Sequence, residues 1–211
     1  MEKSNLHVIL ASSSPRRFEL LSHLKIPFVV KTCHSEEFSN ETEPDRLAQD
    51  LAIQKGRAVL LNSEIKDHLS TLIISADTVV SFEGAVFGKP NDLNEAKKTL
   101  QLLSGKTHSV FTGVCGIFKV NGNIFQYSFV DESRVTFDEI SDQLLDKYLS
   151  TGDSLDKAGA YGIQGPSLTF ISKLEGSYSN VVGFPLSRFI EETRMFIRLN
   201  FPEERQWIGL F

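Results

Sequence analysis

Cysteine, tryptophan and net positive charge are all scarce in this 211-residue chain. The two cysteines, Cys33 and Cys115, stand alone without C-x-x-C spacing, which excludes a cysteine-built zinc site or a disulfide framework. There is one Trp against 16 Phe, so the aromatics read as core packing rather than as a stacking surface for bases. With a formal net charge of -5 the chain lacks the broad basic field that holds a phosphodiester backbone, and no nucleic-acid partner is expected. Local basic pockets for a small anion stay open. No run of 18 apolar residues exists, so no membrane span is expected. The apolar stretch within "MEKSNLHVILASSSPRR" is too short to be a signal peptide and is ended by arginines; a soluble, cytoplasmic protein is expected. The G-x-S-x-G, Walker A and G-x-G-x-x-G patterns are absent too.

What is present suffices for a core: 41% of residues are hydrophobic, and the length fits one domain, 1–211, or one domain of two lobes around a cleft. Patterning alternates strands and helices. "LHVILA", near 5–10, is a first strand; "SPRRFELLSHL" is a helix with Ser14 as N-cap, Pro15 at its first position, and Phe18, Leu21 and Leu24 on one stripe. "PFVVKTC" (27–33) is a second strand, followed by the acidic loop "HSEEFSNETE". A long helix follows Pro44, with Leu47, Leu51, Ala58 and Val59 on its inner face. "TLIISA" (71–76) is a buried strand that delivers Asp77 at its end, "TVVSF" continues it, and "EG" turns into "AVFGKP". Asn91 or Asp92 caps a helix to about Leu103. Two long β segments, "THSVFTGVCGIFKV" and "NIFQYSFVDESRVTF", are joined by the hairpin signal "NGN". Ser141 caps a helix to Leu149 that Gly152 stops, "SLTFISKL" is a late strand, and Pro185 opens a last helix to about Leu199. The tail "NFPEERQWIGLF" shows no clear pattern. This order implies an α/β fold with a partly antiparallel sheet rather than a doubly wound one.

Several stretches carry chemistry. In "SSSPRR" a helix N-terminus offers free N–H groups and a favourable dipole, Ser hydroxyls add donors, and Arg forks match phosphate oxygens. A plain N-cap with two solvated arginines is the other reading. Asp77 follows an apolar strand, where a carboxylate is costly unless paired or metal-bound, so it is a candidate base or metal ligand; a turn-starting Asp is the alternative. Glu36 and Glu37 fall in the loop after strand two and, with Asp77, suit Mg²⁺ held by oxygens, unless that loop is merely solvated. Lys55 and Lys89 are candidate phosphate ligands or surface lysines; Gly88 and Pro90 around Lys89 allow close approach and stiffen the exit. "DKAGAYGIQG" (156–165) is too rich in small residues for a helix or strand interior and suits a loop lying close to a ligand, or a bland loop. In it, Gln164 offers an amide for a base edge or a water. His23, His34, His68 and His108 show no ligand spacing and read as surface or incidental.

The order of these motifs is more specific than any one of them. "LASSSPRRFELL", "EE", "AIQKGRAV", "SADTVV", "GKP", "LSGKTHSVFTGV", "DKAGAYGIQG" and "GSYSNVVGFPL" together resemble the Maf family of nucleoside triphosphate pyrophosphatases, from about Val8 to the last helix. The resemblance implies an elongated, curved mixed sheet flanked by helices, with two lobes around a cleft, as in inosine triphosphatases. It implies hydrolysis of a nucleoside triphosphate to monophosphate and pyrophosphate with a divalent cation, usually Mg²⁺, with Mn²⁺ or Co²⁺ as substitutes. Motif by motif, Asp77 takes the general-base position and Glu36 the acidic metal position, with Glu37 adjacent. Ser12, Ser14, Arg16, Arg17, Lys55 and Lys89 fall on phosphate-associated positions, and Gln164 on the glutamine linked to substrate choice. One branch carries Arg, Thr and Gln at its discriminating positions and acts on dTTP, UTP and modified uridine triphosphates; another, with an aromatic, Gln and Glu, is linked to 7-methyl-GTP. Arg16, Thr78 and Gln164 resemble the first. The family is often homodimeric. It was first associated with septum formation and cell-division arrest, which makes a nucleotide-binding regulator the rival reading; a phosphatase releasing orthophosphate is a third. Two departures are Ser75, where Gly is common, and a longer, more aromatic tail after Asn200.

Overall fold

The computed structural model describes residues 6–33, 38–66 and 69–211. Seven strands form one mixed sheet: β1 (Leu6–Leu10), β2 (Phe28–Val30), β3 (Ser70–Phe82), β4 (Ala85–Phe87), β5 (Thr107–Val120), β6 (Asn123–Phe137) and β7 (Ile171–Glu175). Their order is β2-β1-β3-β5-β6-β7, with β4 paired to β3. β1 runs parallel to β2 and β3, and the other pairings are antiparallel. The helices are α1 (Pro15–Ser22), α2 (Pro44–Asn62), α3 (Leu93–Leu103), α4 (Asp142–Leu149), α5 (Tyr178–Val182), α6 (Leu186–Asn200) and α7 (Arg205–Ile208). Among the described residues no helix is long and apolar enough to cross a membrane.

Local chemistry places most of these boundaries. Ser14 caps α1 through its side chain and Pro15 opens it; Asp92 accepts from Glu95 N at 2.8 Å and caps α3; Ser141 caps α4. The β5–β6 turn uses Asn121 and Gly122, both with positive φ, which is the two-residue hairpin geometry that matches strand twist. Glu83 and Gly84 repeat it between β3 and β4.

Strand alternation gives the sheet two apolar faces. Leu6, Val8, Leu10, Leu72, Ile74 and Ala76 point into the largest core, which α6, α7 and the chain end cover. Ile9, Ala11, Ile73, Cys115 and Ile117 point the other way, under α2. A third core gathers Val80, Val110, Val135 and Phe137 with α3 and α4 at the far end of β3. The inner stripe of α2 is Ala48, Ala52, Gly56 and Val59, not the Leu47/Leu51/Ala58/Val59 face expected from periodicity. The reason is a close approach: a Cβ on Gly113 of β5 would lie 2.2 Å from the Ala48 carbonyl oxygen, and one on Gly56 would lie 2.7 Å from Ser75 Oγ. Only small residues fit that joint.

β1 ends its pairing with β3 at Leu10↔Ile74, and β4 takes up that edge again at Val80↔Phe87. Among the described residues, positions 75–79 therefore have a strand neighbour on one side only, namely β5. Asp77 and Thr78 sit in this gap, one on each face of the sheet.

Three further expectations are corrected. "SLTFISKL" splits into a 3-10 turn (Pro166–Thr169) and a strand starting at Ile171. The second strand is confined to Phe28–Val30. His108 is buried against Phe137 and Tyr161 rather than lying at the surface. His34 and His68 lie outside the described residues.

The unpatterned tail forms α7 and closes the largest core. Trp207 is 1% exposed, stacked on Phe118 at 6.2 Å between ring centroids and edge-on to Phe201 at 5.3 Å. Trp207→Ala is expected to cost about 3–5 kcal/mol of folding stability by chemical denaturation; a loss under about 1 kcal/mol would show that the tail is not part of the core.

Candidate functional site

The gap in β3 opens into a cleft of about 490 Å³. Ser14, Arg16 and Arg17 reach it from the start of α1, Lys55 from α2, Asp77 and Thr78 from β3, Lys89 from the segment after β4, and Gln164 from the loop before Pro166. Eight candidate residues from five stretches of sequence thus share one cavity. Ser12 stands behind it, buried, and Glu36 and Glu37 lie outside the described residues. The lining carries five basic side chains and two acidic ones in a chain whose net charge is -5, so the basic charge is concentrated here.

Asp77 is the interior carboxylate of the cleft, its side chain 14% exposed, and Lys55 Nζ donates to its Oδ1. Both groups lose hydration, and their attraction offsets that cost. The geometry follows from the small-residue joint: Ser75 Oγ donates to Ala52 O at 2.7 Å, tying α2 to β3 two residues before Asp77 and three before Lys55. Ser75 is a fully buried fastener.

On the opposite face, Arg17 is a strut as well as a cleft residue. Its Nε donates to Gly183 O at 2.9 Å, its Nη2 to Thr78 Oγ1 at 3.1 Å and its Nη1 to Ser12 Oγ at 3.4 Å. Thr112 Oγ1 donates to Asn180 O at 3.0 Å, which commits its one hydrogen; Thr78 Oγ1, 3.0 Å away, therefore donates to Thr112. Asn180 Nδ2 in turn holds Val110 O and Ser133 Oγ. This relay sets the Thr78 side chain beside Asp77. The serines of "SSSPRR" work first inside their own turn: Ser12 Oγ accepts from Ser14 N and Ser14 Oγ from Arg17 N, leaving each hydroxyl hydrogen to donate.

The far wall is the loop 156–165. Gly159 has φ +68, and a Cβ there would lie 2.8 Å from Val80, so the loop lies directly on β3. Gly159 N donates to Gly88 O at 3.1 Å, which fastens the Lys89 segment to this wall. Lys89 and Gln164 both point from exposed positions. Behind them, Tyr161 Oη lies 2.7 Å from His108 Nε2, and Tyr148 Oη donates to Ala160 O at 3.1 Å.

Two cleft residues escaped the sequence reading. Asp156 accepts from Arg16 Nη1 at 2.8 Å and from Lys157 Nζ at 2.6 Å. Burial alone would push its carboxyl up, but the bonds from Lys157 and Arg16 outweigh it and hold it below the usual range. The "DK" pair opens the glycine-rich motif, and only the fold places it 140 residues from Arg16 in sequence yet in contact with it.

Asp77 presents one carboxylate at the cleft, and among the described residues no group of three or more His, Cys, Asp or Glu could hold a metal ion. The Asp77 carboxylate supplies oxygen ligands of the hard kind that a divalent cation takes.

A family model described as Maf-like protein matches residues 7–196, leaving the end of α6 and the α7 tail outside. The chain is similar to a dTTP/UTP pyrophosphatase of Bacillus cereus (strain G9842), 42% identical over 190 residues that cover 90% of this chain and 95% of the relative. A dTTP/UTP pyrophosphatase of Agathobacter rectalis is 41% identical over 196 residues, covering 89% and 96%.

Burial holds the His108 imidazole down at about 4, against an ordinary 6.5. As pH falls from about 6.5 to about 4 the unfolded chain binds this proton and the folded one does not, so stability is lost across that window by about 3 kcal/mol and is fully present above it. Thermal melts at pH 7.5 and 5.0 are expected to show a smaller acid-side loss for His108→Gln than for the native chain. Equal losses would remove His108 as a source of acid sensitivity.

Proposed function

The chain belongs to the Maf family, and we propose that its cleft is the active site of a dTTP/UTP pyrophosphatase that releases the nucleoside monophosphate and pyrophosphate. The observation that carries this reading is the Lys55–Asp77 pair, set in the gap of β3 and facing the start of α1 with Arg16, Arg17 and Lys89 in the same cleft.

A triphosphate needs positive charge and donors without a rival set of anions. The start of α1, with Ser14 at its cap, supplies a favourable dipole and hydroxyl donors, and Arg16, Arg17, Lys55 and Lys89 supply charge. Asp77 orients a water in line with the leaving pyrophosphate and takes its proton as the water oxygen bonds to the α-phosphorus. The bond from the α-phosphorus to the bridging oxygen breaks, and the electron pair leaves with pyrophosphate, whose charge the lysines and arginines balance. Asp77, with Glu36 by family position, would hold the divalent cation. When bound, the cation would supply positive charge that offsets the charge developing on the leaving pyrophosphate. Thr78, Gln164 and Arg16, set on different walls of the cleft, suit the reading of a pyrimidine. The reading takes residues 1–211 as one soluble, cytoplasmic, homodimeric enzyme with a small-molecule substrate.

The test is a panel of nucleoside triphosphates with Mg²⁺, scoring pyrophosphate separately from orthophosphate. Pyrophosphate from dTTP or UTP is expected, with kcat falling about 100- to 10,000-fold in a folded Asp77→Asn variant. Orthophosphate as the first product would make the protein a phosphatase. Near-normal turnover by Asp77→Asn would remove Asp77 as the base, and nucleotide binding without turnover would favour a regulator.

A further inference from the structure

Arg16 and Gln164 stand on opposite walls of the cleft, and the contact that joins those walls at Arg16 is made by Asp156. Resting on the pyrophosphatase reading, we propose that Asp156 is the positioning residue for Arg16: it clamps the guanidinium across the cleft mouth so that its remaining donors meet the nucleotide in one orientation.

The clamp is built rather than incidental. Arg16 is held at two points, Nη1 to Asp156 Oδ2 at 2.8 Å and Nη2 to the Asp156 backbone oxygen at 3.3 Å. A swing of the carboxylate therefore releases only one of them. The other carboxylate oxygen, Oδ1, is taken by Lys157 Nζ at 2.6 Å. Lys157 is anchored in turn by Asp153, through its backbone oxygen at 2.8 Å and its Oδ1 at 2.9 Å. Gly162 lies against the Lys157 stem, where a Cβ would come within 2.5 Å of Cδ and Cε. A glycine at that point, two acidic partners and a largely buried lysine fix Asp156 from the loop side.

The consequence for Arg16 is geometric. Two of its N–H groups go to Asp156, and a guanidinium has five in one plane, so three stay available in a plane that Asp156 sets. Asp156 also balances part of its charge, which makes Arg16 a directional donor more than a point charge. The Lys55–Asp77 pair rests on α2 and β3, outside the clamp. Loss of the clamp thus bears on nucleotide binding and choice more than on turnover of bound nucleotide.

The experiment is a cycle of Asp156→Ala, Arg16→Ala and the double variant, with Asp156→Glu as the conservative rescue, assayed for pyrophosphate release from dTTP and UTP. Asp156→Ala is expected to raise KM about tenfold with kcat within about twofold, and the double variant to be no worse than Arg16→Ala alone. Asp156→Glu recovers part of the KM. The Asp156 side chain is 59% exposed, so melting temperatures stay within a few degrees of the native chain. Unchanged KM, additive effects, or a lower KM (a carboxylate competing with phosphate) would each overturn the proposal. If the native chain releases no pyrophosphate, that reading fails separately, and the same variants are titrated with dTTP by calorimetry. Non-additive losses in Kd then support the clamp; additive losses, or no binding by the native chain, overturn it.

Discussion

A carboxylate set inside a sheet has to be balanced, and the way this chain balances Asp77 organises much of the molecule. Lys55 reaches it only because α2 lies unusually close to β3 and β5, and that closeness is made by residues with little or no side chain: Ala48, Ala52 and Gly56 on the helix, Gly113 on the strand. Ser75 then fastens the joint with a hydrogen bond to the helix backbone. Larger residues would lift the helix and leave a partly buried charge without its partner, which is far more costly than the pair itself.

The same strand explains why the cleft is where it is. β3 has 13 residues and β1 has five, so β3 runs on after its parallel neighbour ends, and β4 does not rejoin that edge until Val80. The space between holds Asp77 on one face and Thr78 on the other. α1 and its arginines enter from one side, α2 and Lys55 from the other, and the loop 156–165 closes the end through Gly159 and Gly88. Basic charge collects there while the chain as a whole is acidic. A small polyanion is attracted and a long one has no track to follow.

Much of this was legible from residues in order. Caps at Ser14, Asp92 and Ser141, the Asn121-Gly122 turn and the apolar run before Asp77 are local signals with local causes, and they fell where expected. The failures were also physical. Leu47 and Leu51 satisfied the helical period but face the cleft, because a backbone joint selects size and not hydrophobicity. His108 showed no ligand spacing, and its burial depends on Phe137 and Tyr161, which come from distant segments. The aromatic tail had no period because α7 is a single turn whose residues fill a core already formed by β5 and α6.

The sequence by itself determined the element order, the mixed character of the sheet, the Maf family membership and the set of polar residues fit for phosphate chemistry, since each of these rests on neighbours in the chain or on motifs in series. Only the tertiary structure decided which of those residues meet. It set Arg17 to bracing Thr78 as well as lining the cleft, moved Ser12 behind it, and brought Asp156 to Arg16 from 140 residues away. Pairings of that kind depend on how strands of unequal length register and how closely a helix can approach a sheet, and neither distance is written in any one stretch of the chain.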